Sequence, residues 1–306
     1  MTNRTVIGAM CTFERPDDLH RSLDVLANGS AALDRLVIVD NGAGDTTTSI
    51  VAEHRLGDSM TIDIVTPGRN LGPAGGYAEA FKAIDEFAAS DDLVVILDDD
   101  DPPPSPTILH DLVALADTTV TDPTVAGIGL RGGELNLRTG VIASRPEGNT
   151  DTEPADHLHG GWLPVYRVGA LRDADVFDPD LFWGFDDLEI GRRLARHGYG
   201  LRVASTLFRS VSSRRQPRVS AALAPRSWRH YYRHRNLLRI LRRDHAWGAI
   251  VATVLVRLLG KPLVNLPLRP SLALWHLRTN AAAAYDGLFR TTSALHPRHQ
   301  PASRDS

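Results

Sequence analysis

The residues best suited to chemistry in this chain are carboxylates. Asp98, Asp99, Asp100 and Asp101 stand in a row, preceded by Leu93-Val94-Val95-Ile96-Leu97 and followed by Pro102-Pro103-Pro104. Four adjacent negative charges repel one another and resist desolvation. A hard divalent cation with oxygen ligands is their natural partner. An acidic surface turn is the bland alternative, and the flanks argue against it. Five apolar residues in succession read as a buried strand, and proline, which has no N–H to donate, ends it. The carboxylates therefore stand at the carboxyl end of a core strand. A second acidic pair, Asp186 and Asp187, opens a helical pattern with Ile190 and Leu194 on one face. At a helix start such a pair can serve as dipole and cap stabilisation, worth roughly 0.3–1 kcal/mol. Beside Trp183 and Phe185 it can also serve as a general base whose pKa is tuned by burial.

These groups need elements to hold them. Val6–Phe13 reads as a strand, and residues 16–28 as a helix opened by proline and closed before Gly29. A strand over 36–39 ends in Asp40-Asn41-Gly42, a helix over 46–54 follows, and a strand runs over 60–65. Asn70-Leu71-Gly72-Pro73-Ala74-Gly75-Gly76 reads as a Gly-rich turn before a helix to about Ala89. Strands alternating with helices predict an α/β fold with a mostly parallel sheet. Ligands of such sheets bind outside the carboxyl ends of the strands. Those ends carry Thr12, Phe13, Glu14 and Arg15, then Asp40 and Asn41, then Asn70 with Gly75 and Gly76, then the Asp run. Together they predict one crevice for a polar, phosphorylated ligand with a metal. The Gly-rich stretch lacks the GxGxxG and GxxxxGK[ST] spacings, which disfavours a dinucleotide site or a P-loop.

Beyond this region the pattern predicts a helix over 108–116 and a strand over 125–130. Residues 131–160 read as a hairpin (135–137 with 141–143) and then a mobile loop. Gly160-Gly161-Trp162 opens a strand through Val165. A helix runs from the Asp pair to about His197, and a short strand covers 202–204. Further helices follow through Arg243, up to Lys261-Pro262 as a stop, and over 272–288. The tail from about Thr291 reads as disordered.

Bulk properties narrow the class. At 306 residues, 42% hydrophobic and 23% charged, the chain has room for one large domain or two smaller ones. A net charge of -3 argues against a nucleic-acid partner. Residues 202–243 nevertheless hold twelve arginines and no Asp or Glu, which suits a phosphate group or an acidic membrane surface, or else a solvated helical face. The single cysteine, Cys11, allows no disulfide within the chain and fits a reducing cytosol. The N-terminus enters a strand directly, without a signal-peptide pattern. The most apolar segment, residues 247–260, contains Arg257 and is short for a membrane span. It reads as a core helix or as one lying in a membrane interface. The expected location is the cytoplasm, peripheral on the inner face of the cell membrane.

With these residues laid out, the chain resembles inverting family-2 glycosyltransferases of the GT-A fold, in particular the small bacterial rhamnosyl- and galactofuranosyltransferase branch. Thr12-Phe13-Glu14-Arg15-Pro16 resembles the family's first-strand motif, and Val39-Asp40-Asn41-Gly42 its second. Asn70 to Tyr77 is close to the N-L-G-x-[AS]-G-G-[FY] signature, and Leu97-Asp98-Asp99-Asp100 resembles the metal-binding DxD-type motif. Gly184-Phe185-Asp186-Asp187-Leu188-Glu189 resembles the motif that holds the catalytic base. Tyr231-Tyr232-Arg233-His234-Arg235-Asn236 resembles the aromatic-Arg-Asn motif that follows the catalytic domain.

The resemblance implies a nucleotide diphosphosugar donor held by Thr12, Glu14, Arg15, Asp40, Asn41, Asn70, Gly75, Gly76 and Asp99. It implies Mg²⁺ or Mn²⁺ on Asp98 and Asp100, a base at Asp187 or Asp186, and sugar contacts from Gly161, Trp162 and Trp183. The acceptor would be a glycan or a lipid-linked glycan. Relatives place a further metal-binding His about a dozen residues after the Gly-Tyr that follows the catalytic helix; here Gly198-Tyr199 is followed by Val211-Ser212-Ser213 instead. The implied organisation is a catalytic domain over 1–225, a helical basic and apolar extension over 226–290, and a tail over 291–306. Transfer to a secondary-metabolite aglycone, a nucleotidyltransferase and a non-catalytic nucleotide-sugar-binding module are the alternatives. The last has no need of a base, and the second normally has a basic Gly-rich loop where this chain has Phe13-Glu14-Arg15-Pro16.

Overall fold

The computed structural model describes residues 4–29, 32–42, 45–144, 150–211 and 223–290. The expected tail from Thr291 and positions 212–213, where the family's histidine is missing, lie outside the described residues. Two compact units divide the chain. The first comprises Met1–Glu134, Ala143–Pro179 and Asp186–Ser213, and the second Leu135–Ile142, Asp180–Phe185 and Arg214–Ser306.

The first unit follows the predicted alternation. It runs β1 (Val6–Thr12), α1 (Pro16–Asn28), β2 (Arg35–Asp40), α2 (Thr46–Glu53), β3 (Thr61–Val65), α3 (Gly72–Asp85), β4 (Leu93–Asp98), α4 (Ile108–Thr119) and β5 (Val125–Gly129). Short strands β6 (Gly132–Leu135), β7 (Ile142–Ser144), β8 (Thr152–Ala155) and β9 (His157–Leu158) come next. Then follow β10 (Val165–Arg167), α5 (Val168–Asp173), α6 (Asp186–Arg196), β11 (Gly200–Ala204) and α7 (Ser205–Val211). The main sheet has eight strands in the order β3-β2-β1-β4-β10-β5-β11-β8. β3, β2, β1 and β4 pair in parallel, as do β5 and β11, whereas β10 and β8 run antiparallel to their neighbours.

The apolar run of β4 is explained by burial on both faces, as expected of a central parallel strand. Leu93, Val95 and Leu97 enter one core layer, and Val94 and Ile96 the other, the period of two that a pleated strand imposes.

Three expectations need correction. The glycine run is not a turn: α3 begins at Gly72, so Gly75 and Gly76 lie in its first turns. A Cβ at Gly76 would come within 2.2 Å of Cys11 Sγ, and one at Gly75 within 2.6 Å of Leu71 Cβ. Contact between α3 and β1 is close enough to require the missing side chain at position 76. The stretch expected as a mobile loop after the hairpin also carries two short strands, since β8 extends the main sheet and β9 pairs with β6. Gly160–Trp162 is a single 3-10 turn rather than a strand, and the strand starts at Val165.

The second unit is helical: α8 (Trp228–Arg243), α9 (Trp247–Ala252), a π-helical stretch (Thr253–Gly260), α10 (Lys261–Asn265) and α11 (Pro270–Phe289). Here the expected stop at Lys261-Pro262 fails, and the helix runs on from Trp247 to Asn265. Proline at 262 lacks the N–H that would bond the Leu258 carbonyl four residues back. Asn280 of α11 supplies the missing donor, its Nδ2 lying 2.7 Å from Leu258 O.

Candidate active site

The first unit gathers most of the expected site residues at the carboxyl ends of β1, β2 and β4. Thr12 closes β1, and its hydroxyl donates to Asp99 Oδ2 at 2.8 Å. Arg15 donates to Asp99 Oδ1 at 3.2 Å and also to Asp100. The Ser22 hydroxyl of α1 donates to the Asp99 carbonyl at 2.6 Å. Asp99 is therefore the anchored member of the run, buried and held from three sides, and Arg15 supplies part of the positive charge the sequence called for. Glu14 is exposed and has a left-handed backbone (φ 52°).

The next two strand ends are tied to each other. Asp40 is buried and accepts from the Gly42 amide at 2.7 Å. Asn41, also buried, accepts from the Leu71 amide at 3.3 Å and donates to the Gly72 carbonyl at 3.0 Å. Asn70 accepts from the Gly72 amide at 2.8 Å. Asn41 and Asn70 fix the N-terminal entry of α3, accepting from the Leu71 and Gly72 amides, which a helix start leaves without partners, whereas Asp40 closes the turn that follows β2.

Asp98 has a different environment. The Tyr77 hydroxyl, on α3, lies 2.9 Å from Asp98 Oδ1 and 2.9 Å from the Leu97 carbonyl. Among the described residues no Lys or Arg pairs with Asp98 or Asp101. Burial, with the charges of Asp100, Asp101 and Asp99, pushes the Asp98 carboxyl up to about 6 despite the Tyr77 bond. Such a group fits a hard cation, which would supply the missing charge. Gly161 lies directly against it. A Cβ there would meet Asp101 Oδ2 at 2.9 Å and Asp98 Oδ2 at 3.1 Å. Asp100 is engaged by Arg15, whereas Asp101 faces the same glycine as Asp98. The resemblance placed the metal on Asp98 and Asp100 and gave Asp101 no part in holding it.

Gly161 arrives there because β10 is reversed. β10 is antiparallel to β4, with Val165 opposite Val95, so the segment just before β10 emerges at the rim where β4 ends. Trp162, in that segment, is half-buried and edge-on to Phe208 at 5.2 Å.

Asp186 and Asp187 begin α6. His159 Nδ1 lies 3.6 Å from Asp187 Oδ2, an ion-pair distance, and Asp187 Oδ1 accepts from the Leu188 amide at 2.7 Å. His157 and His159 lie edge to face, 5.0 Å between ring centres. His157 Nδ1 and His159 Nε2 are buried without a hydrogen-bond partner. Burial opposes ionisation of Asp187, but His159 and His157 outweigh it and hold the carboxyl below the usual carboxylate range. Burial pushes Asp186 the other way, reinforced by the charges of Asp187 and Asp98. Two adjacent carboxyls with pKa values driven apart are the arrangement that separates a base from an acid. The ligating atoms of His157, His159 and Asp187 also lie within 4.8 Å of one another, so this trio can hold a metal ion. A second trio, His20, Asp24 and His54, has the same spacing. There His54 Nδ1 accepts from the Leu56 amide, so the neutral ring carries its proton on Nε2, 3.3 Å from Asp24. That leaves no lone pair there for a metal.

The motif over 231–236 proves to be a clamp within the second unit. Arg235 donates to the carbonyls of Asp180 (2.6 Å) and Leu181 (2.9 Å). Asn236 Nδ2 lies within 3.0 Å of the carbonyls of Leu181, Trp183 and Gly184. The clamped loop has positive φ at Phe182, Gly184 and Phe185, a conformation that bulky side chains resist. Trp183, expected to stack on a sugar, stands edge-on to Trp228 at 5.6 Å with Arg229 5.2 Å from its ring.

The sequence profile of glycosyl transferase family 2 matches residues 9–171, just over half of the chain. The chain belongs to glycosyl transferase family 2. The galactofuranosyltransferase GlfT1 of Mycobacterium tuberculosis is 33% identical over 211 residues, which are 63% of this chain and 66% of that relative. The chain thus matches slightly less than two thirds of the relative's length. Among solved structures, the mannosyltransferase PcManGT of Pyrobaculum calidifontis, in complex with GDP-Man and Mn²⁺, superposes with a TM-score of 0.53 at 20% identity. That match covers 92% of this chain and 74% of that one. S. aureus TarS 1–349 gives a TM-score of 0.55 at 16% identity, covering 98% and 93%.

Three contributors escaped the sequence reading. Tyr77 sits inside the Gly-rich signature, but nothing local says that its hydroxyl reaches Asp98. His157 and His159 carried a signal that was available: two histidines at i and i+2 on an extended segment share a face.

Proposed function

We propose that the chain transfers a sugar from a nucleotide diphosphosugar to an acceptor hydroxyl in a single displacement that inverts the anomeric centre. One observation carries this reading: an unpaired, half-buried Asp98 and a polarised Asp186/Asp187 pair belong to the same rim of the same unit. Asp187, kept ionised beside His159, takes the proton of the attacking hydroxyl. Asp186, whose carboxyl burial and the charge of Asp187 push up, is the more readily protonated of the two and leaves that role to its neighbour. Thr12 and Arg15 hold Asp99 and so fix the run that follows β4, while Asn41 and Asn70 shape the entry of α3. Asp98 and Asp100 would hold Mg²⁺ or Mn²⁺, with Asp101 as the neighbouring carboxylate across Gly161. A cation held there would act as a Lewis acid on the donor's diphosphate. Gly161 and Trp162 line the approach for the sugars.

The donor is a UDP- or dTDP-sugar. The name of the relative GlfT1 puts galactofuranose first, with rhamnose second, and a glycan or lipid-linked glycan of cell-wall biosynthesis as acceptor. Incubation with UDP-galactofuranose, Mn²⁺ and a lipid-linked glycan, followed by NMR of the product's anomeric centre, tests the proposal. The expected product has the configuration opposite to that of the donor. A product with retained configuration would overturn the single displacement. Tight, Mn²⁺-dependent donor binding without transfer to any hydroxyl acceptor would instead identify a binding module.

A further inference from the structure

The second unit carries an apolar face that the proposed reaction does not use. Trp247, Val251, Leu255, Leu259 and Leu263 recur at every fourth position of the helix running from Trp247 to Asn265. All five are between 40% and 59% exposed. In an α-helix a stride of four overshoots one turn of 3.6 residues. In a π-helix, with its wider i→i+5 turn, the same stride falls short of one turn. The π stretch at Thr253–Gly260 therefore offsets the drift of the flanking α turns and keeps the row straight. Val256, Val264 and Leu268 widen it, at 66%, 77% and 80% exposed. Contiguous apolar surface of this kind marks an interaction site.

Charge says what covers it. Residues 245–285 contain no Asp or Glu, but they contain Arg257, Lys261, Arg269 and Arg278. Between Arg202 and Tyr285 the only acid is Asp244. A second copy of the same face would set cations against cations. We propose that this face lies flat on an anionic lipid bilayer, with the Trp247-to-Leu263 row at the boundary of headgroups and acyl chains and the cations among the phosphates. Helices with one apolar face and cationic flanks bind in this way. By length and composition the same 19-residue helix could cross a membrane, with a mean hydropathy of 1.5. Its opposite face is already occupied, however: Ala249, Ile250, Thr253, Leu258 and Pro262 are buried, and Asn280 holds the Leu258 carbonyl. A helix packed in this way lies in the surface. The inference is independent of the transferase reading.

Flotation of the full chain with vesicles tests it. Binding is expected to phosphatidylcholine vesicles containing phosphatidylglycerol at low salt, to fall steeply at high salt, and to be reversed by an alkaline wash. Leu255→Asp and Leu259→Asp should each lower the partition coefficient about tenfold or more. Lys261→Gln and Arg269→Gln should each lower it about fivefold. All four positions are exposed or intermediate, so melting curves should stay unchanged; the salt and lipid dependence of the unaltered chain needs no variant at all. Three results would overturn the proposal: failure to float with phosphatidylglycerol vesicles, resistance to the alkaline wash, which would mark a spanning helix, or a dimer dispersed by Leu255→Asp in a chain that ignores vesicles.

Discussion

The Asp98–Asp101 rim of the first unit and the Arg235–Asn236 clamp of the second are both polar clusters with buried members, Asp99 in one and Arg235 and Asn236 in the other, and they differ in one respect. In the clamp the Arg235 and Asn236 donors meet carbonyls, all within 3.0 Å. At the rim, Asp98 has only the Tyr77 hydroxyl and faces three like charges. A satisfied polar cluster holds structure in place, and removing a member leaves its partners bare. An unsatisfied one remains folded at a cost that a cation or substrate can remove. The contrast teaches where a ligand is expected: a carboxylate whose charge no cation of the chain balances is open to one, whereas amide and guanidinium donors that all meet backbone carbonyls are scaffold.

Four experiments can break or sharpen that contrast. The largest effect is expected at Asp187. Asp187→Asn should lower turnover by about a thousandfold, within the range for loss of a positioned base, and leave nucleotide affinity and melting temperature unchanged. His159→Gln, by removing the imidazole that holds the Asp187 carboxyl down, should raise the Asp187 pKa and move the acidic limb of the rate profile to higher pH. A full-rate Asp187→Asn enzyme would place the base elsewhere. The clamp should behave in the opposite way. Asn236→Ala removes contacts to three carbonyls and should cost about 3 kcal/mol of stability, read from chemical denaturation; a variant as stable as the parent would remove the distinction between clamp and rim.

The smallest effect is a divergence with pH. Burial and the charge of His276 push His230 down to about 4, and burial with the charge of His230 pushes His234 down to about 3. Below the unfolded value of 6.5 the unfolded chain binds the extra protons, so the second unit loses stability as pH falls from about 6.5 towards 4. Asp98 has the opposite sign. Its raised value of about 6 against 3.8 unfolded means that the folded state binds the proton first, so its contribution improves as pH falls through the same interval. Hydrogen exchange resolved by segment, corrected for intrinsic rates, should show α8 loosening while the end of β4 tightens. Parallel behaviour would mean that the two clusters are not different in kind.

How much of this was legible in the sequence follows from the range of each interaction. The first half of the sheet could be read because its signals are local: apolar runs, Pro16 at a helix start, and Asp runs at strand ends. The glycine run was misread as a turn because its cause, the approach of α3 to Cys11, lies some sixty residues away along the chain. The proline stop failed for the same reason, since Asn280 supplies the absent donor from another helix. The site was visible as a set of carboxylates. What polarises them, His159 and Tyr77, comes from segments whose meeting only the fold determines.

The reversed strand β10 has a consequence for how the chain is made. Until β10 is synthesised, after α4 and five further strands, β4 is the open edge of a four-stranded sheet. Its run of Leu, Val and Ile would then be an adhesive edge, the kind of strand that recruits other chains. The four aspartates and three prolines that end it are the residues that discourage such pairing. The run read here as the seat of a cation thus also protects the nascent protein from aggregation before any ligand can bind.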